Sequence, residues 1–395
     1  MQIIDRQLQL ATPPLFRLGF RPFFLAGSVF TLLALTLWLL ALTGHLAWQP
    51  AGGWLAWHRH EMLFGFGAAI IAGFLLTAVQ NWTGRPGLSG WPLAALAGVW
   101  LAARLAWLCN APYALLLPLE LAFLPLVAAI MAHTLWTVRQ ARNYPVVLVL
   151  LVMTLADGLV MRGLAQGDDS LQRRGVLAGV WVIVTLLGLI GGRVIPFFTA
   201  RGLALKKNAP PLDWLAWTLL AGGLLLAVLT AMGLTLAPHA AVAVLCFQLA
   251  AGHLLRLVHW YHAGIWKVPL LWSLHAAYAW LVLALLGLGL WHAGFLQSPS
   301  PALHALTVGA MGGAILAMLA RVSLGHTGRE LRPPRSMNAA FMLLHLGVLA
   351  RVGLVAWWPL AALQLATACW LLAFGIFVWH YAPMLVSARV DGQPG

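Results

Sequence analysis

Charge is what this chain of 395 residues has least of. Only 8% of its side chains are Asp, Glu, Lys or Arg, against roughly 25% in soluble domains. So few charges cannot cover a water-soluble surface of this size, which excludes soluble globular and disordered classes. Acidic groups are the scarcer kind: 9 Asp and Glu stand against 23 Lys and Arg, a net charge of +14. In a soluble protein that surplus would point to an anionic partner. Here it reports membrane orientation, and no nucleic-acid partner is expected. Cysteine is scarce too. Cys109, Cys246 and Cys369 lie far apart in apolar stretches with no CxxC or CxxCH. That excludes a dithiol motif, a zinc ribbon and a covalently attached c-type haem. The three read as small buried apolar residues.

What the chain has in abundance is apolar sequence, 62% of all residues. It falls into runs of about 20, the length that crosses a bilayer as a helix. The fold class is therefore all-α, a polytopic membrane protein with a single integral membrane domain and the lipid bilayer as its first partner. Reading from loop to loop places twelve transmembrane helices at 21–43, 60–82, 91–109, 113–137, 145–164, 175–198, 212–233, 239–259, 269–292, 302–322, 338–358 and 359–384. The first run is long enough to span and does not read as a cleaved signal. No loop is long enough for a separate domain.

Most Lys and Arg fall on one side if the N-terminus is inside. Arg6, Arg17, Arg21, Arg85, Arg139, Arg142, Lys206, Lys207, Arg332 and Arg389 are among them. The positive-inside rule then puts both termini in the cytoplasm. Many of the 21 Trp, such as Trp48, Trp91 and Trp357, fall near span ends, as an interfacial belt would.

An internal repeat singles out two histidines. Sliding residues 60–85 onto 304–329 matches His60 with His304, Gly65 with Gly309, Ile71 with Ile315 and Leu75 with Leu319. Thr83-Gly84-Arg85 then matches Thr327-Gly328-Arg329. Span 6 shares its ending with span 10, Arg193-Val194-x4-Thr199-x-Arg201 against Arg321-Val322-x4-Thr327-x-Arg329. Matching ends four helices apart suggest three related four-helix units. In that arrangement His60 and His304 share one depth near the outer face. Two imidazoles facing each other across a bundle can hold a haem from both sides. The plain alternative is a hydrogen-bonded interfacial histidine.

Other polar groups inside the spans offer further sites. His58, His60, Glu61 and Met62 supply imidazole and thioether donors that suit copper. Residues two apart on a helix face different ways, so both histidines reach one ion only if helix 2 begins after His58. His253, His275 and His345 lie at similar depth and offer a second metal or haem site, or separate interhelical hydrogen bonds. Intramembrane charges usually have a partner or a role. Arg104 pairs with Glu120 and Asp157 with Arg351 or Arg162 in the structural reading. In the functional one, Arg104 and Arg351 hold haem propionates, since guanidinium meets carboxylate at two points. Arg193 and Arg321, at repeat-equivalent inner ends, either snorkel or bind anions. His326 reads as interfacial.

Several of these residues carry a resemblance. Phe16-Arg17-x3-Arg21-Pro22-Phe23-Phe24, His60-Glu61-Met62-Leu63-Phe64-Gly65, Gly192-Arg193-Val194-Ile195-Pro196-Phe197 and Arg321 through Arg329 look like the NnrS family. The blocks run from the N-terminus to span 10. The resemblance implies a multi-pass bacterial inner-membrane protein with non-covalent b-type haem and copper, linked to nitric oxide metabolism and protection from nitrosative stress. Nitric oxide or a nitrosylated species would be its ligand, with an electron donor that no motif names. There is also a distant likeness to haem-copper oxidases and nitric oxide reductases, which ligate a haem between helices 2 and 10. The chain departs from them in having no His between 134 and 238, where their copper ligands would fall. Two other classes compete: a secondary transporter, for which twelve spans and repeats are common, and a membrane oxidoreductase of the nitric oxide reductase type.

Overall fold

The computed structural model describes residues 10–393, so Arg6 lies outside the described residues. Among them there is no strand. Twelve helices are long and apolar enough to cross a membrane: α1 Phe20–Leu42, α2 Gly53–Thr83, α3 Gly90–Leu108, α4 Tyr113–Thr137, α5 Ala141–Gln166 and α6 Asp169–Gly202. They continue with α7 Asp213–Ala231, α8 Ala240–Trp260, α9 Pro269–His292, α10 Ser300–His326, α11 Arg335–Leu354 and α12 Pro359–Val386.

The spans match the sequence reading in number and differ at some ends. α2 begins at Gly53, seven residues earlier than its hydropathy suggests. Polar residues at 58–61 hide a helix that is already under way. α6 begins at Asp169, where Asp168 Oδ1 accepts the Leu171 N–H at 3.0 Å and caps the first turn. Charged residues in that turn mask it from a reading based on apolar runs.

The chain falls into two compact units. The first holds residues 1–179, 321–332 and 377–395; the second holds 180–320 and 333–376. In the first, the α1 start is tied to α2 by a 2.8 Å bond from the Phe20 N–H to Thr77 Oγ1. Thr77 in turn donates to Gly73 O, the back-bond by which a helical Thr satisfies its hydroxyl in an apolar setting.

Three stretches depart from α-helical winding into π-helix: Glu61–Gly67 in α2, Ala305–Gly312 in α10 and Ala350–Leu354 in α11. Such segments are rare and concentrate at functional sites. The first two stand in register with the sequence repeat. His60 is the last α-helical residue before one, and His304 before the other. At the far end of the repeat, Thr83 donates to Val79 O and Thr327 to Ser323 O, both at 2.7 Å. The glycines that follow, Gly84 and Gly328, take left-handed φ of 67° and 77°. The likeness between α2 and α10 is thus one of backbone as well as sequence.

Candidate metal and cofactor sites

Four successive helices of the first unit, α2 to α5, each send a polar side chain to one point. His60 and Glu61 come from α2, Arg104 from α3, Glu120 from α4 and Asp157 from α5. Their exposures are 0%, 0%, 2%, 3% and 1%, so no water screens them. His60 Nδ1 faces Glu61 Oε1 at 2.9 Å and its Nε2 faces Asp157 Oδ1 at 3.0 Å, with Glu120 Oε1 at 3.7 Å. Arg104 Nε lies 2.7 Å from Glu61 Oε2, and its Nη2 pairs with Glu120. The Trp107 indole N–H donates to Glu120 Oε2 at 2.9 Å, and its ring stacks on His60 at 4.5 Å.

The π-helical segment is part of the site. Widening the turn leaves carbonyls without their usual helical partners. Two of the segment's carbonyls take donors from α3: Phe64 O accepts from Arg104 Nη1 at 3.4 Å, and Gly65 O from the Trp100 indole at 2.9 Å. Gly65 makes room for this. A Cβ there would lie 2.9 Å from Glu61 Oε2, 3.0 Å from Phe30 and 3.3 Å from Arg104 Cδ. Gly309, its counterpart in the repeat, likewise gives way to Trp280, whose Cγ would lie 2.6 Å from a Cβ.

The charge count of this cluster is the chemical point. Three carboxylates meet one guanidinium, which leaves two negative charges when His60 is neutral. Buried charge on that scale is expensive unless compensated. Two protons or one divalent cation would neutralise it. One donor atom each from His60, Glu61 and Glu120 lies within 4.8 Å of the others, and among the described residues no other trio of His, Cys, Asp or Glu does so. Mixed nitrogen and oxygen donors suit divalent transition metals, Cu(II) among them.

Several expectations need correcting here. The pairing of Arg104 with Glu120 is present, but Asp157 meets His60 instead of Arg351, and Arg162 is exposed. Arg104 is engaged by two carboxylates and has no place for a propionate. His58 lies inside α2, two residues from His60 and on another face. It stacks on Trp38 at 4.3 Å, so the two histidines do not share an ion. Met62 Sδ is 4.0 Å from Thr31 Oγ1. Both ring nitrogens of His60 face carboxylates, and Trp107 stacks on the face of the ring.

The second unit handles its histidines differently. His304 Nδ1 lies 2.8 Å from its own helix's Ser300 O, an acceptor, so the ring proton sits on Nδ1. Nε2 is then the lone-pair nitrogen, and Arg351 Nη2 donates to it at 3.3 Å. A carbonyl on the far nitrogen is the usual second contact of a metal-ligating histidine. Arg351 sits in the π-helical segment of α11, and its Nη1 is buried with no acceptor. A guanidinium nitrogen in that state fits a carboxylate of a bound cofactor.

His253, His275 and His345 do not come together as a ligand trio. His253 Nδ1 shares a 2.6 Å bond with Tyr278 Oη, His345 Nδ1 accepts from the Trp280 indole at 3.1 Å, and His275 Nδ1 bonds Leu271 O at 2.9 Å. The first two are interhelical hydrogen bonds, as the plainer reading had them. Arg321 is buried and Arg193 half-buried, at the repeat-equivalent ends of α10 and α6. His326 rests against Phe20, with ring centroids 5.5 Å apart.

Sequence reasoning missed two things. One is the meeting of His60 with Asp157, and the other the π-helical winding after each repeat histidine. The available signal for the first was an intramembrane carboxylate in need of a partner.

A family profile described as NnrS protein matches residues 14–389, nearly the whole chain. No curated protein matches it.

Proposed function

The chain belongs to the NnrS family, membrane proteins linked to the nitric oxide response, and on that premise we propose that it acts there as a haem- and copper-binding protein of the bacterial inner membrane. Copper would be held by His60, Glu61 and Glu120, with Asp157 beside them. Haem would be held through His304 Nε2, with Arg351 turned to a propionate. Haem would supply an iron able to bind nitric oxide, and copper would supply one-electron chemistry.

The observation that carries this reading is the convergence of three buried carboxylates on His60 with a single guanidinium beside them. A divalent cation would bring the cluster to neutrality without moving Arg104 from its two ion pairs. Trp107 and Glu61 would hold the His60 ring in place while Asp157 yields Nε2 to the metal. Arg104 would keep Glu61 and Glu120 aimed inward through its two ion pairs. On the other side, the Ser300 carbonyl would hold the His304 tautomer that leaves Nε2 basic. The π-helical backbone behind each histidine gives its ring a fixed exit from the helix.

A second reading draws on the shared register of His60 and His304, and has one haem ligated by both. The same experiment separates the two. Purified protein is analysed for copper and haem, with copper read by electron paramagnetic resonance and haem by its Soret band. In the first reading His60→Ala and Glu120→Gln lower copper affinity at least tenfold and leave the Soret band in place, while His304→Ala removes that band. If His60→Ala also alters the Soret band, the shared haem is correct. Full copper and haem content in all three variants would end both readings.

A further inference from the structure

Several arginines of the bundle are spent on acceptors. Arg104 meets two carboxylates. Arg21 is fully buried, and its Nη1 donates to Leu385 O at 2.9 Å and Ser387 O at 2.7 Å. Arg389 pairs with Asp391 and donates to His326 O at 3.1 Å, which holds the C-terminal tail against the end of α10. Arg256 of α8 is different. It is 5% exposed, and among the described residues no carboxylate lies within ion-pair distance of it. The second unit has one acidic residue to offer, Asp213, which is exposed at the first position of α7. A buried charge inside a span with no counter-charge marks a site more often than a structural prop.

Arg256 also faces a space. A crevice among α6, α7, α8 and α9 is lined by Thr185, Gly188, Leu219, Leu249, His253 and Arg256, among others. It holds about 10 Å³ of room for the centre of a water-sized sphere, enough for one water or one ion of similar size. That is too little for a cofactor ring or a phospholipid headgroup. Arg256 lies flat along α6: a Cβ at Gly192 would stand 3.2 Å from its Cζ, Nη1 and Nη2 alike, and Nη1 donates to Gly188 O at 2.8 Å. The polar lining is biased toward donors. A guanidinium has no lone pair to offer, so in its hydrogen bond with Tyr278 the phenol oxygen accepts. The hydroxyl hydrogen then goes to His253 Nδ1, 2.6 Å away. This places the ring hydrogen of His253 on Nε2, next to the Cε1 that stands against Gly188. The Thr185 hydroxyl is used on Trp181 O.

We propose that this crevice binds a small monovalent inorganic anion between Arg256 and His253. Chloride and nitrite are the two sources of that chemistry tested here. Such an ion brings the charge that the second unit's acidic residue does not bring to Arg256, and it accepts from N–H donors without requiring one in return. The inference does not rest on either metal site.

The test is thermal unfolding of the purified full chain in detergent at constant sodium concentration and ionic strength, with gluconate replaced stepwise by chloride or by nitrite. Gluconate is too large for the crevice. The expected result is a midpoint that rises by several degrees and saturates in at least one of the two arms, and the arm that responds identifies the ion. Arg256→Gln abolishes the rise, whereas Lys206→Gln with Lys207→Gln, in the exposed loop before α7, keeps it. If Arg256→Gln does not fold, Gly188→Ala carries the comparison. It keeps the guanidinium and sets a Cβ 3.2 Å from His253 Cε1, so the half-saturating anion concentration should rise several-fold. Identical midpoints in all three salts, or a rise that survives unchanged in Arg256→Gln or in Gly188→Ala, overturns the proposal.

Discussion

The segment around His60 and the segment around His304 share a backbone and oppose each other in electrostatics. Each histidine closes a short α-helix and opens a π-helical stretch, and each repeat ends in a back-bonded Thr and a left-handed Gly. Around His60 the neighbours are Glu61, Glu120 and Asp157; around His304 they are Ser300 and Arg351. One environment collects negative charge and the other a cation. The same scaffold therefore gathers carboxylates around one histidine and sets a backbone carbonyl and a guanidinium against the other. Repetition preserves where a ring leaves the helix, while the facing helices decide what that ring can bind.

Breaking the first environment has the largest expected effect. Arg104→Leu strands Glu61 and Glu120 inside the membrane unit. Removing one partner of a buried pair costs about 3–5 kcal/mol, so the variant is expected to unfold well below wild type in a thermal melt in detergent. Arg351→Leu removes no carboxylate's partner and is expected to change the melt far less. Equal losses in the two variants would erase the contrast.

The next effect concerns the glycines. Gly65→Ala sets a Cβ against Glu61 and Phe30, and Gly309→Ala sets one against Trp280. Overpacking typically costs about 1–3 kcal/mol. Both variants should lose stability on that scale. Only Gly65→Ala should weaken copper binding, measured by titration of copper-depleted protein.

A smaller effect comes from Trp107→Phe, which keeps the ring over His60 and removes the donor to Glu120. A hydrogen bond to a charged group contributes about 1.5–3 kcal/mol, and the loss should appear in the melt with the haem spectrum unchanged. The counterpart Trp280→Phe removes the donor to His345 and should cost less, because no charge is involved.

The smallest effect lies outside the membrane. Hydrogen bonds from Arg389 hold the exposed Asp391 carboxyl down at about 2, from an ordinary value of 3.8. A carboxyl depressed in the folded state supports the tail contact fully above its unfolded value. That support fades as pH falls from 3.8 through about 2. Protease sensitivity of the C-terminal tail should accordingly stay constant from neutral pH to about 4 and rise below it. Asp391→Asn should show the raised sensitivity at every pH.

Much of the architecture could be read from hydropathy alone, because a bilayer requires about 20 apolar residues per crossing. The first turns of α2 and α6 were hidden for the same reason: His58, Arg59, Asp169 and Arg173 interrupt the apolar pattern without interrupting the helix. Pairing of Arg104 with Glu120 was legible because two lone charges on neighbouring spans have few other ways to be satisfied. His60 with Asp157 was not, since their helices are three apart in the chain and only the packed bundle sets which faces meet. The π-helical winding had no sequence period to announce it. The repeat-matched Gly65 and Gly309 were visible as identities, and only the packed structure gives their cause: the Glu61 carboxylate and Phe30 ring crowd the first, and the Trp280 indole the second.

The hold of Arg21 on the carbonyls of Leu385 and Ser387 has a consequence for biogenesis. Of the twelve spans the first to be made carries the latch, and its catch follows at the end of the twelfth. Until the twelfth span is made, that guanidinium lacks these two carbonyls. Fusion tags or stop codons placed just ahead of Ser387 should therefore yield material that inserts all its earlier spans yet is cleared by membrane quality control.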